Sequence, residues 1–306
     1  MKYENDFEHL QLREDTALSL GKFDGLHRGH GLLLDIICEK KNTGLKSAVF
    51  TFQFPTQNGR HKVITTSEEK KRILQERGID YLIECPFTKS IMEMEAEQFI
   101  EEAVRRLRVK WMAVGTDFRF GHNRRGDYHM LQDYASKYGY QLSVVPKMQH
   151  GKEDISSTCI RREIEAGHME LVHELLGYPY FIEGMITHGC QIGRTIGFPT
   201  INLQPPSEKI LPPFGVYLST IILDEKQYSG ITNIGKKPTV HGTRPAGAET
   251  FIYDFNEDVY EKNARVNILQ FVRPERKFEG IEQLRMQLSA DISYGRQYFN
   301  NAFNQL

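Results

Sequence analysis

Apolar residues in the first half of the chain follow two patterns in alternation. Short continuous runs, which are typical of buried strands, occur at residues 16–20, 46–52, 81–83, 111–114 and 142–145. Apolar positions at helical spacing occur at residues 31–40, 95–107, 128–137, 157–166 and 168–176. A further helix is predicted to begin after Thr66, because Thr66 and Glu69 match a capping box. Strands that alternate with helices predict an α/β domain with a doubly wound, mostly parallel sheet covered on both faces.

After residue 180 the pattern changes to short strands separated by glycine and proline. These strands are predicted at residues 181–187, 215–223, 227–234, 248–255 and 265–271, and most of the chain's prolines lie beyond Met185. Serial short strands with this punctuation indicate an antiparallel β-barrel, closed so that no strand edge is exposed. An amphipathic helix is expected at about residues 281–289. We therefore predict a boundary near Gly177, with domains at residues 1–180 and 181–306.

Composition and charge exclude several classes of protein. The chain has 306 residues, enough for two domains of ~150 residues each. Its 39 basic and 40 acidic residues give a net charge of -1, so we expect no nucleic acid and no membrane surface as a partner. No apolar run approaches the ~20 residues that span a bilayer, residues 1–15 are too polar for a secretory signal, and the cysteines form no CxxC pair. These observations favour a cytoplasmic enzyme or binding protein for small molecules, as a monomer or weak homo-oligomer.

A glycine-rich segment with two histidines lies between the first predicted strand and the first helix. Its sequence at residues 21–30 is GKFDGLHRGH. Ligands of doubly wound sheets bind at the carboxyl ends of strands, and glycines let the backbone approach a phosphate there. His27 and His30 can reach one side of a first helical turn and hydrogen-bond a phosphoryl group under attack. Taken by itself, the segment is equally compatible with a turn that carries two surface histidines.

Two later segments have compositions that suit an anion. Residues 115–126 form a basic, glycine-rich stretch, GTDFRFGHNRRG, after a predicted strand, a composition that by itself favours an ordinary surface loop. Residues 155–161, ISSTCIR, place hydroxyls at a helix start and an arginine behind them. Such hydroxyls are good helix caps, and arginine pairs phosphate oxygens bidentately, so the segment suits either an ordinary helix start or a triphosphate tail.

A second candidate site lies in the predicted barrel. Gly189, Gly193 and Gly197 are spaced through a loop that ends in the sequence GFPTIN at residues 197–202. Thr200 and Asn202 point to the same face of an extended strand. Their oxygen atoms suit Mg²⁺, which commonly shares its ligands with phosphates, although an isolated Thr-x-Asn pair more often forms a polar strand face.

Together these segments resemble one family of enzymes. GKFDGLHRGH resembles the HxGH signature of nucleotidylyltransferases, and in particular the FAD synthetase module of bacterial bifunctional riboflavin kinase/FMN adenylyltransferases. The segments at residues 115–126 and 155–161 are similar to that family's G-x-DFxFG-xxRxG and ISSTxIR motifs. The spaced glycines and GFPT-x-N resemble its riboflavin kinase signature. The motifs occur in the family's order.

The resemblance implies a set of residue roles. His27 and His30 stabilise the transition state of adenylyl transfer, Glu249 is the catalytic base of the kinase, and Thr200 and Asn202 bind Mg²⁺. Contacts with ATP or its phosphates are implied for Gly21, Phe23, Asp24, Gly29, Ser156, Ser157, Arg161, Gly193 and Gly197. Contacts with the flavin or the nucleotide are implied for Asp117, Phe118, Arg119, Arg125 and Arg273.

The implied reactions are those of FAD biosynthesis. With ATP and Mg²⁺, riboflavin is phosphorylated to FMN, and FMN is then adenylylated to FAD with release of pyrophosphate. Two departures leave alternatives open: residues 53–57 lack the family's Pro-His-Pro element, and Phe251 stands where the family has a histidine. The chain is therefore also compatible with a paralogue that keeps one activity. A flavin-sensing regulatory protein is a further alternative, although the intact catalytic set favours catalysis.

Overall fold

The computed structural model describes residues 1–53, 62–188, 197–236, 238–239, 242–243 and 245–303. Contacts divide the chain into two compact units, Met1–Cys159 and Ile160–Leu306. This division falls before the expected domain boundary at residue 180, because helix Met169–Leu176 packs on strands of the second unit.

A parallel sheet is the centre of the first unit. Its strands are β1 (Lys2–Glu4), β2 (Thr16–Leu20), β3 (Lys46–Gln53), β4 (Tyr81–Pro86), β5 (Val109–Gly115) and β6 (Gln141–Val145). Among the described residues they lie in the order β1-β4-β3-β2-β5-β6, and every neighbouring pair is parallel. The predicted α/β sheet is thus confirmed. All five residues of β2 are buried, so the segment that follows β2 starts from the middle of the core.

Helices connect these strands. Their bounds are α1 (Arg28–Glu39), α2 (Ser67–Glu76), α3 (Lys89–Glu93), α4 (Ala96–Leu107) and α5 (Tyr128–Tyr138). The predicted capping box at α2 is present, since Thr66 Oγ1 accepts the Glu69 N–H at 3.2 Å and Glu69 Oε2 accepts the Thr66 N–H at 2.9 Å. A short hairpin of β7 (Gln149–His150) and β8 (Glu153–Asp154) leads into α6 (Ser157–Ala166).

The second unit contains a closed antiparallel barrel, as predicted. Its strands are β9 (Tyr180–Thr187), β10 (Thr200–Leu203), β11 (Gly215–Leu223), β12 (Lys226–Gly235), β15 (Gly247–Ile252) and β16 (Asn263–Pro274). A two-stranded ribbon, β13 (Pro238–Thr239) and β14 (Gly242–Thr243), lies between β12 and β15 in the chain. The helices of this unit are α7 (Met169–Leu176) and α8 (Ile281–Phe303). No helix in the described ranges is long and apolar enough to cross a bilayer.

Two elements of the barrel unit differ from their predicted lengths. β15 ends at Ile252, three residues earlier than expected, since Asp254 has a φ of +52° that an extended strand does not accommodate. α8 continues well past the expected end at residue 289, to Phe303. Phe299 and Ile292 of this extension pack on the outer face of the barrel, against Tyr253 and Leu218 among others. The longer helix therefore covers apolar barrel residues.

Candidate active sites

The two histidines of the first site lie in the first turn of α1. His27 caps the helix, and its Nδ1 atom accepts the backbone N–H of His30 at 3.4 Å. The two imidazole rings are stacked, with centroids 3.8 Å apart and planes 23° from parallel. Both rings therefore lie on the same side of the helix start, where the backbone N–H groups also favour an anion.

Both histidines are neutral at pH 7. Burial lowers the pKa of His27 to about 4, against the opposing effect of the Asp117 carboxylate. The pKa of His30 lies well below its ordinary value, chiefly because of burial and also because a proton on His30 would be repelled by the Lys70 ammonium group and by any proton on His27. Since His27 Nδ1 accepts a hydrogen bond, its proton is on Nε2, which is then a donor. His30 Nδ1 is buried and has no partner in the part of the chain that the structure describes.

The loop before α1 has an unusual backbone. Phe23, Gly25 and Leu26 have φ values of +46°, +83° and +40°. For Phe and Leu this left-handed conformation is costly, and such strain is typical of functional sites. Phe23 is fully buried, and its ring centroid is 5.0 Å from that of His30. The loop thus places the buried Phe23 ring against His30, one of the two candidate catalytic histidines.

Polar contacts fix this loop. Asp24 Oδ1 accepts the backbone N–H groups of Ile64 at 2.8 Å and Thr65 at 3.2 Å. The Asp24 carbonyl oxygen accepts the hydroxyl of Ser157 at 2.8 Å. Ser156, at the start of α6, has its Oγ 3.2 Å from the Cys159 N–H, which it accepts. The side chains of Asp24, Ser156 and Ser157 are therefore all hydrogen-bonded to backbone groups around the site.

The glycines of this segment leave room for aromatic rings. A Cβ on Gly21 would lie 3.2 Å from the Phe23 ring, and a Cβ on Gly29 would lie 3.3 Å from two atoms of the His27 ring. Both distances are shorter than ordinary van der Waals contacts. The glycines thus set the positions of Phe23 and His27, in addition to the phosphate approach expected from the sequence.

The loop after β5 carries the predicted flavin or nucleotide contacts. Phe118 stacks on buried Phe120, with centroids 5.5 Å apart. Asp117, Arg119 and Arg125 are exposed. Arg119 Nη1 donates to the Phe118 carbonyl at 2.8 Å. The aromatic pair is the fixed part of the loop, and the charged side chains project from it. Arg161 lies further along α6, in the second unit.

The second site lies on the outer face of the barrel. β10 pairs with β15 so that Asn202 is directly opposite Glu249 and Thr200 is opposite Phe251. Thr200 Oγ1 donates a hydrogen bond to Glu249 Oε1 at 2.8 Å. Because directly opposed side chains share a face, a hydroxyl, an amide and a carboxylate are brought together. Spacing predicts the shared face of Thr200 and Asn202, whereas Glu249 is implied only by the family resemblance.

A cavity of about 220 Å³ adjoins this face. Thr200, Asn202 and the segment of residues 255–260 line it. Tyr260 of that segment stacks on His188, with ring centroids 3.7 Å apart. Val259-Tyr260 also follows the family's kinase pattern, whereas His188 lies in none of the motifs, and the separation of seventy-odd residues gives no local signal that the two rings meet. The cavity supplies room beside the oxygen-bearing side chains for a small ligand.

The oxygen-bearing side chains fit a magnesium ion. A threonine hydroxyl has one proton and two lone pairs, so the proton donated to Glu249 leaves lone pairs of Thr200 for a cation. Hydroxyl, amide and carboxylate oxygens are the ligands that Mg²⁺ accepts, together with substrate phosphates. Within the described residues no group of three or more His, Cys, Asp or Glu side chains is placed to hold a metal. A magnesium ion here would therefore depend on the phosphates for part of its coordination.

Arg273 pairs bidentately with Asp291 of α8, with distances of 2.9 Å from Nε to Oδ1 and 2.6 Å from Nη2 to Oδ2. Gly197 is exposed and has a φ of +88°, which favours glycine. Gly193 lies outside the described residues, as do residues 54–57 of the segment that departs from the family pattern. Phe251 packs edge-on against Phe198, with centroids 5.9 Å apart.

Comparison with known proteins assigns both units. Residues 9–159 match the family model for FAD synthetase, and residues 176–299 match the model for riboflavin kinase. These two matches define a two-domain transferase that acts on flavins.

The matches extend over nearly the whole chain. It is 36% identical to the bifunctional riboflavin kinase/FMN adenylyltransferase of Escherichia coli (strain K12), with 94% of each chain covered, and 35% identical to that of Bacillus subtilis (strain 168), with 96% of each covered. The chain belongs to the family of bifunctional riboflavin kinase/FMN adenylyltransferases, as its motifs indicate. A crystal structure described as a macrolide-efflux protein from Streptococcus pneumoniae shares the fold, with a TM-score of 0.83, 29% identity, and coverage of 95% of this chain and 96% of that one.

Proposed function

We propose that this chain makes FAD from riboflavin in two ATP-dependent steps. The barrel phosphorylates riboflavin to FMN, and the parallel-sheet domain adenylylates FMN to FAD and releases pyrophosphate. The observation that carries the proposal is that one chain contains both a stacked pair of neutral histidines at a helix start and a Thr-Asn-Glu face beside a cavity. Each arrangement suits one of the two phosphorus centres.

In the adenylyl transfer, a phosphate oxygen of FMN attacks the α-phosphorus of ATP. A new O–P bond forms as the bond to the β-phosphate oxygen breaks, and pyrophosphate leaves with that electron pair. His27 donates from Nε2 to a non-bridging oxygen, and His30 lies stacked beside it, so negative charge that builds at phosphorus meets fixed donors. Ser156, Ser157 and Arg161 are proposed to hold the departing pyrophosphate at the start of α6.

In the kinase step, the terminal hydroxyl of the riboflavin side chain attacks the γ-phosphorus of ATP. Glu249 accepts the hydroxyl proton as the O–P bond forms, and ADP leaves. The hydrogen bond from Thr200 orients the carboxylate. Mg²⁺ held by Thr200 and Asn202 would neutralise charge on the transferring phosphoryl group.

Domain limits, partners and location are part of the same proposal. The motif at residues 155–161 crosses the division between the compact units, so the adenylyltransferase domain is taken as residues 1–180 and the kinase domain as residues 181–306. The partners are riboflavin, FMN and ATP, without nucleic acid or membrane, in the cytoplasm, and the chain acts as a monomer or weak homo-oligomer.

The first experiment separates the two half-reactions. Purified protein is incubated with Mg·ATP and either riboflavin or FMN, and the flavins are quantified by chromatography. We expect FMN and FAD from riboflavin, and FAD from FMN. FAD from FMN but no FMN from riboflavin would mean that the kinase is inactive. FMN as the sole product would mean that the adenylyltransferase is inactive, and flavin binding without product would favour a sensor.

Two substitutions then test the assignment of the sites. We expect His30→Ala to abolish FAD formation from FMN and to leave FMN formation from riboflavin near normal. Glu249→Gln is expected to abolish FMN formation from riboflavin and to leave FAD formation from FMN near normal. Matched controls are His129→Ala and Glu261→Gln, both at exposed positions, which are expected to change neither rate. Equal loss of both activities from either site variant would refute the assignment of separate sites.

A further inference from the structure

Lys147 lies at the sheet edge where the first site is built, and none of the sequence motifs includes it. It follows the end of β6 by two residues, as Asp117 follows the end of β5. β2, β5 and β6 are neighbours, and the carboxyl ends of parallel strands meet at one edge. The next residue, Met148, has its Cβ 3.8 Å from the position that a Cβ on Gly29 would take. The backbone beside Lys147 therefore reaches the helix turn that carries both histidines.

The ammonium group of Lys147 bridges two carboxylates. Its Nζ atom is 3.4 Å from Asp117 Oδ2 and 3.3 Å from Asp154 Oδ2. Asp154 belongs to β8 and also accepts the Gln149 side-chain amide at 3.1 Å. The hydrogen bond that Lys147 donates to Asp154 and the charge of Asp117 raise the pKa of Lys147, so it stays protonated. One cation thus joins the loop after β5 to the hairpin before α6.

The Asp117 carboxylate acts on the histidine site. Its charge raises the pKa of His27, against the larger effect of burial. Protonation of His27 at Nδ1 would remove the acceptor of the His30 N–H and place a positive charge at the positive end of α1. A carboxylate at this edge would also repel a triphosphate. Asp117, Asp154 and Lys147 together carry a net charge of -1, and without Lys147 the two carboxylates carry -2.

We propose that Lys147 is a positioning residue for adenylyl transfer: it holds Asp117 and offsets its charge, so that ATP can approach and His27 keeps its capping hydrogen bond. This inference rests on the proposed role of His27. The charged or titratable groups that act on the histidine pair are Asp117 from the loop after β5 and Lys70 from α2, besides the two rings themselves. Lys147 acts on the histidine pair through Asp117.

The test measures FAD formation from FMN by Lys147→Gln. We expect the KM for ATP to rise about two- to fivefold, as for loss of a partly exposed ion pair. The acid limb of the kcat/KM profile is expected to move to higher pH, because the uncompensated carboxylate raises the pKa of His27. Lys147→Arg should retain both properties. Added salt should narrow the difference in KM, since it screens exposed charges.

The matched control is Lys152→Gln, which removes the same charge from an exposed position at the turn of the same hairpin. It is expected to leave the ATP KM and the acid limb unchanged. FMN formation from riboflavin, a reaction of the other domain, is the internal control for every variant. In an Asp117→Asn background, removal of Lys147 should no longer move the acid limb, because the charge that it offsets is gone.

The outcomes separate this inference from the proposed function. If Lys147→Gln behaves like Lys152→Gln, the inference is wrong. If His27→Ala still forms FAD at the normal rate, the proposed role of His27 is wrong whatever the lysine variants do. Should Lys147→Gln fail to fold, Lys147→Met is measured in its place: a raised ATP KM and an acid limb at higher pH support the inference, and wild-type values overturn it.

Discussion

Gly29 lies close to the His27 ring. Replacement of Gly29 by alanine, which adds one methyl group, should therefore lower the rate of FAD formation without a matching loss of stability. Gly29 and Gly31 both lie in the first turns of α1, and neither has a positive φ. Alanine is favoured over glycine in a helix by about 1 kcal/mol. In Gly29→Ala the new Cβ would lie 3.3 Å from His27 Cε1 and Nδ1, whereas in Gly31→Ala it would lie 3.5 Å from the end of the Arg77 side chain.

Gly29→Ala is expected to be nearly neutral for stability and damaging for FAD formation. The helix gain of about 1 kcal/mol is offset by overpacking of about 1–3 kcal/mol. The His27 ring must yield by a few tenths of an ångström although it is also stacked on His30 at 3.8 Å. Misplacement of a catalytic group by ~1 Å costs about a hundredfold in rate, so we expect a loss of about tenfold.

Gly31→Ala is the matched control for this prediction. Its Cβ would make an ordinary contact with a flexible arginine, so the variant should gain about 1 kcal/mol of stability and keep the wild-type rate. FAD formation from FMN gives the rates, thermal unfolding gives the stabilities, and FMN formation checks the other domain. A normal rate in Gly29→Ala, or an equal loss in both variants, would refute the argument from ring displacement.

Three further predictions concern the metal site, the α8 contact and pH. Thr200→Val should lower FMN formation by about tenfold or more while Thr200→Ser retains it, as steady-state assays at saturating Mg²⁺ will measure, because valine cannot bind a cation or hydrogen-bond Glu249. Asp291→Asn, which removes the counter-charge of the half-buried Arg273 and changes a buried hydrogen-bonding side chain, should destabilise the barrel unit by about 2 kcal/mol in denaturant unfolding. FAD formation should persist as pH falls toward 5 and be lost as it passes about 4, the pKa of His27, in a profile corrected for unfolding.

Several elements of the fold follow from short-range pattern, and those that do not have identifiable causes. β2, β11 and α6 occupy the predicted residues, since each is bounded by clear turn or capping residues. β1 was missed because three residues at the sheet edge give no periodicity. α1 begins at Arg28, before the predicted start at residue 31, because histidine is not among the favoured helix caps and His27 nevertheless caps this one.

Residue roles were less accessible from the sequence than residue positions. The pattern indicates that Asp24 lies near a phosphate site, but not that its carboxylate accepts two backbone N–H groups from the segment forty residues later. Arg273 is likewise predicted near the flavin, while its guanidinium is bound by Asp291 of a helix that was expected to end before that residue. Both contacts depend on tertiary packing across a long sequence separation, which no local spacing encodes.

The two sites differ in how sequence determines their geometry, and this difference decides which substitutions they tolerate. Thr200, Asn202 and Glu249 lie on regular strands, so strand period and register are enough to place them on one face. His27 and His30 depend instead on a loop with left-handed Phe23 and Leu26, fixed by the contacts of Asp24. A change that preserves side-chain chemistry should therefore preserve the barrel site, whereas the histidine site should also respond to substitutions that alter only backbone or packing.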